Sequence, residues 1–134
     1  MFLAVVFGRG PNDGAKLKDI VAAADWVNHA IPLEEELTGG LNRLIVGGYV
    51  RSSRGTFALT HAGEALYLKV KKRAGIWTQF DRLATAFESL ESPPSPVWKP
   101  TPDTVRAGID GWLSEADDIL KAMDGRRRRR PSGT

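Results

Sequence analysis

Apolar residues recur along the chain at helical spacing in four places. In residues 17–31 they fall at Leu17, Ile20, Val21, Ala24, Val27 and Ile31, one stripe of an amphipathic helix. Pro32 closes that helix, because the residue before a proline avoids the α region. Leu33, Leu37, Leu41 and Leu44, with Ile45 beside them, mark a helix over 33–47, which Gly48 stops in the left-handed conformation. Leu66, Val70, Ala74, Trp77, Phe80, Ala84 and Phe87 extend the pattern across 61–91, with Gly75 placed to bend or split the element. Val105, Ile109, Trp112, Ala116, Ile119 and Met123 mark a last helix, with Thr101 as its cap, Pro102 at its first position and Gly125 as its stop.

Between the second and third stripes the period changes. Residues 49–52 and 56–59 read as two short strands turning at Ser53-Arg54-Gly55, with Val50, Phe57 and Leu59 facing inward. Thr60 is a helix N-cap. The run Phe2–Phe7 has no strict period and suits a buried strand or helix; its place ahead of two helices and a hairpin favours a helix. Ala15-Lys16-Leu17 can add a brief third strand. Ser92 to Pro100 is a stiff proline-rich connection.

Composition adds limits. With 134 residues, 42% of them hydrophobic, the chain suits one domain with a real core. It has no cysteine, which excludes disulfides and thiolate metal sites and fits a reducing compartment. The first apolar run is too short to span a bilayer. The expectation is a cytoplasmic protein with no membrane partner. The formal charge is +3, yet five of the 19 basic residues are consecutive, Arg126 to Arg130. Without them 14 basic residues face 16 acidic ones, so the body is slightly negative and the basic character sits in the tail.

Little in the chain suggests catalysis. Gly8-Arg9-Gly10 lacks the spacing and the Lys-Ser/Thr of a phosphate loop. Asp25, Asn28 and His29 share part of a helix face, but a side-chain contact at a helix end explains them. We expect no enzyme, metal or cofactor.

Leu41-x-x-Leu44-x-x-x-Gly48-Tyr49-Val50 followed by Phe57-x-Leu59-Thr60-x-x-Gly63 resembles the bacterial winged helix-turn-helix superfamily, broadly its MarR-like and PadR-like regulators, over residues 2–67. The resemblance implies a mainly α fold with a two- to three-stranded antiparallel wing and a C-terminal helical extension. The expected organisation is a winged-helix domain with its long following helix over 1–91, a connection at 92–102, a helix at 103–125 packing on the domain or a dimer partner, and a disordered basic tail at 126–134.

The resemblance also implies a dimeric transcriptional regulator with one helix per subunit in the major groove of duplex DNA. Carried onto this chain, Thr38, Asn42 and Arg43 would meet base edges or phosphates, and Arg51 and Arg54 of the wing would meet phosphates. Arg126, Arg127, Arg128, Arg129 and Arg130 would add affinity through counterion release. Against this, Glu34, Glu35 and Glu36 open the expected reading helix. They suit its positive end at roughly 0.3–1 kcal/mol each, but oppose phosphate. The alternative is a winged-helix protein-interaction module with the acidic helix start turned to a partner.

Overall fold

A computed structural model describes residues 1–91 and 93–129. Among the described residues six helices and three short strands follow in the order α1 (Phe2–Gly8), β1 (Ala15–Lys16), α2 (Leu17–Asn28), α3 (Glu34–Val46), β2 (Val50–Ser53), β3 (Thr56–Leu59), α4 (His61–Lys71), α5 (Ile76–Ala86) and α6 (Pro102–Arg129). The fold is mainly helical with one small antiparallel sheet, strand order β1-β3-β2.

The apolar stripes meet in one core. Phe2, Leu3, Val5 and Val6 of α1, Ile20 and Val21 of α2, and Leu37, Leu41 and Leu44 of α3 are buried together. Val50, Phe57 and Leu59 close the core from the sheet. The ambiguous first run is therefore a helix. Leu33 departs from the expected ridge. It is the extended residue before α3, 63% exposed, so the buried ridge begins at Leu37.

Local chemistry fixes the ends. His29 takes a left-handed φ of 55° and terminates α2 three residues ahead of Pro32. Gly48, at φ 85°, turns the chain from α3 into β2. The hairpin turns on Arg54 and Gly55, at φ 50° and 78°. Two successive positive φ values match the strand twist of a two-residue hairpin, and glycine takes the second at no steric cost. Lys16 lies opposite Thr56, Thr56 opposite Ser53, and Arg51 opposite Ala58. Those residues share the outer face of the sheet, while Ala15, Phe57, Leu59 and Val50 share the buried one.

Thr60 caps α4 by accepting from Gly63 N at 3.1 Å, and its hydroxyl donates to the Gly48 carbonyl. Residues 61–91 do not form one helix. The chain breaks after Lys71, and α5 starts at Ile76 with Gly75 as its cap residue. Arg82 Nη1 donates to the Val70 and Lys72 carbonyls at 2.9 and 2.7 Å, satisfying groups that the end of α4 leaves without helical partners. The break rotates Trp77 outward to 78% exposure, while Val70 and Leu83 remain in the core.

At the C-terminal end, α6 runs through Gly125 to Arg129. The expected stop at Gly125 is thus corrected, and residues 126–129 are helical rather than a disordered tail. One helical glycine costs only about 1 kcal/mol against alanine, and arginines at a helix C-terminus complement its dipole. Residues 130–134, including Arg130, lie outside the described residues.

Candidate interaction surface

The candidate surface is the side of α3 turned away from the core, together with the hairpin that follows it. Successive helical residues advance by about 100°, so Leu37, Leu41 and Leu44 fix which side is inward. Asn42 and Arg43 then fall on the two flanks. Both flanks are covered by chain distant in sequence.

On one flank, Asn42 is only 2% exposed. Its Nδ2 donates to the Thr38 and Trp98 carbonyls, both at 2.9 Å, and its Oδ1 accepts from Trp98 N at 2.8 Å. The amide thus makes a two-way bond with one residue of the proline-rich connection. The Trp98 ring in turn stands edge-on to Phe57, centroids 4.9 Å apart. Next to this seam, Arg106 of α6 reaches Glu34 at 3.5 Å.

On the other flank, Arg43 Nη2 donates to the Leu90 carbonyl at 2.8 Å. A Cβ on Gly47 would lie 2.8 Å from the Leu90 side chain, and one on Gly40 would lie 3.1 Å from Met1. These two glycines are explained by packing.

These positions correct the expected site. Asn42 does not face outward; it is a buried tie between α3 and the connection. The guanidinium of Arg43 is bound to the backbone after α5. Thr38 is half-buried, with its carbonyl held by Asn42. What α3 leaves exposed is a strip of Glu35, Glu36, Gly39 and Val46, the valine 50% exposed. It carries two carboxylates and no cation.

The hairpin has the opposite character. Arg51 and Arg54 are exposed, as the sequence suggested. Lys16 joins Arg51 on the outer face of the sheet through the β1–β3 register, which sequence reasoning missed. Its signal was the inward–outward alternation of Ala15 and Lys16 ahead of α2. Arg126 is exposed on α6.

Other polar groups serve the fold. Asp25, considered above with Asn28 and His29, accepts from Trp112 Nε1 at 2.9 Å and so joins α2 to α6. Arg9 pairs with Glu64. Lys18 pairs with Glu115 at 2.8 Å, and this hydrogen bond, with the carboxylate's charge, raises the lysine above its ordinary pKa. Among the described residues no cluster of three histidine, aspartate or glutamate side chains could hold a metal ion, and no helix is long and apolar enough to cross a membrane. No family model, curated protein or solved structure matches the chain.

Proposed function

We propose that the chain is a winged-helix module that works through protein–protein contact, with the exposed strip of α3 as its docking face. The winged-helix reading is supported by the order helix, short strand, helix, helix, two-stranded hairpin, and by the strand order β1-β3-β2.

The observation that carries the functional reading is the consumption of Asn42 by Trp98. A helix that reads bases needs free donors and acceptors on its outer face. Here the asparagine is buried and Arg43 is bound to Leu90, which leaves Glu35, Glu36, Gly39 and Val46 facing outward. Carboxylates turned to a phosphate-lined groove lose energy, whereas carboxylates beside an exposed valine suit a basic, partly apolar protein surface. Capture of interacting proteins by the wild type and by E35K/E36K tests this directly. Loss of the same partners in the variant is expected, and unchanged capture would refute the role of the strip.

A second reading has its own observation. Lys16, Arg51 and Arg54 put three cations on the wing, and the arginine run adds more. They favour sequence-independent contact with the phosphates of duplex DNA, as a homodimer or a monomer. Salt-dependent binding that falls in R51A/R54A supports this mode; binding unchanged in that variant would remove the wing from it.

A further inference from the structure

We propose that the cleft between α4 and α5 binds an organic di- or triphosphate, the class of ligand that includes the nucleotides. This goes beyond the reading of α3 and does not depend on it.

Lys69, Lys72, Arg73 and Arg82 line a cleft of about 710 Å³ between the two helices, a size that suits a small-molecule ligand. Elsewhere Arg9, Lys18, Arg106 and Lys121 each meet a carboxylate. Lys71, in the same basic run, lies over the Tyr67 ring instead, 5.1 Å from its centre. Among the described residues none of the four cleft cations is in an ion pair. The fold leaves their charge unused.

The backbone sets two of the four. Arg82 Nη1 is held by the Val70 and Lys72 carbonyls, which fixes the guanidinium. Its Nε and Nη2 have no acceptor among the described residues. Lys71 to Ala74 form a tight turn, closed by the Ala74 N–H on the Lys71 carbonyl at 3.2 Å. Its central residues, Lys72 at φ −59° and ψ 115° and Arg73 at φ 50°, have the angles of a type II turn. The third position of that turn ordinarily takes glycine, because a Cβ is strained at positive φ. Here it holds an arginine that lines the cleft. A side chain carried at a strained position points to a use for that side chain.

The charges say what fills the cleft. Four cations against one lining carboxylate, Asp81, leave three positive charges. A monocarboxylate would neutralise one of them, whereas a di- or triphosphate brings a matching charge, and cations converging on a concave wall concentrate the field on it. Leu66, Val70 and Ala86 give the cleft an apolar part, which suits the ring of an organic phosphate and not the continuous phosphates of duplex DNA. Asp81 opposes bare phosphate as well, and suits a hydroxyl or amino donor on the organic part.

Isothermal titration calorimetry of the full chain with ATP, GTP, tripolyphosphate and adenosine tests this. One nucleotide per chain is expected, bound more tightly than tripolyphosphate or adenosine. K69A/K72A should weaken that binding by about tenfold, through lost charge-assisted contacts, whereas R51A/R54A on the wing should leave it unchanged. R73G should bind more weakly yet melt no lower than wild type, since glycine relieves the turn. Failure of both nucleotides to bind, or binding undiminished in K69A/K72A, would overturn the inference. An equal loss in R51A/R54A would also overturn it, by marking diffuse attraction to basic surface. Tripolyphosphate bound as tightly as the nucleotides would overturn the organic part of the ligand, and R73G with full affinity would remove Arg73 from the site.

Discussion

Replacing Asn42 with alanine separates the structural role of this residue from a reading role. The substitution removes three hydrogen bonds, two of them to the backbone of Trp98. A net bond is worth about 0.5–1.5 kcal/mol, and a buried group left unpaired costs about 1–3 kcal/mol. Trp98 is half-buried, so water can recover part of the loss at its N–H and carbonyl. The expected destabilisation is about 2–3 kcal/mol. At this chain length each kcal/mol moves the melting midpoint by roughly 3–5 °C, so N42A should melt about 6–15 °C lower. Thermal denaturation followed by circular dichroism measures this. N42D should not rescue the fold, because a carboxylate cannot donate to the Trp98 carbonyl. A midpoint within about 2 °C of wild type, accompanied by lost affinity for duplex DNA, would refute the reasoning and return Asn42 to the surface.

Other substitutions probe the remaining supports. A Cβ on Gly63 would sit 2.2 Å from the Tyr49 carbonyl oxygen, so G63A should cost at least about 3 kcal/mol by overpacking, seen in urea unfolding. Gly39 meets nothing within 4 Å, so G39A should stabilise α3 by roughly 0.5–1 kcal/mol in the same assay; destabilisation would mean that its open helical environment is misjudged. W112F should lose about 1 kcal/mol with the Asp25 bond. The Lys18–Glu115 tie contributes stability that is lost as pH rises from the unfolded lysine pKa through the raised folded one. Wild type and E115Q should therefore differ by a constant amount across neutral pH and converge in strong alkali.

The parts of the fold readable from the sequence were those set by local period and local chemistry. The leucine ridge from Leu37, the stop at Gly48, the Arg54-Gly55 turn and the Thr60 cap each depend on residues a few positions apart. The α4–α5 break was foreshadowed by Gly75, but the Val70 and Lys72 carbonyls complete it with Arg82, a partner 12 and 10 residues away. The candidate site was harder to read because its geometry is set at long range. Spacing placed Asn42 and Arg43 off the core ridge, and polar residues off a ridge ordinarily face water. Their partners lie 56 and 47 residues further on, in the connection and after α5, and no helical periodicity records that return. Gly125 misled for a different reason: a glycine favours a stop but does not compel one when the following residues suit a helix C-terminus.

Selection of duplexes from a fully randomised pool tests most directly whether α3 reads DNA. The account predicts that no sequence is enriched and that bound duplexes are released uniformly as salt rises, through the cations of the wing and the arginine run. Enrichment of a defined sequence, abolished by T38A or R43A in a protein that remains folded, would contradict it.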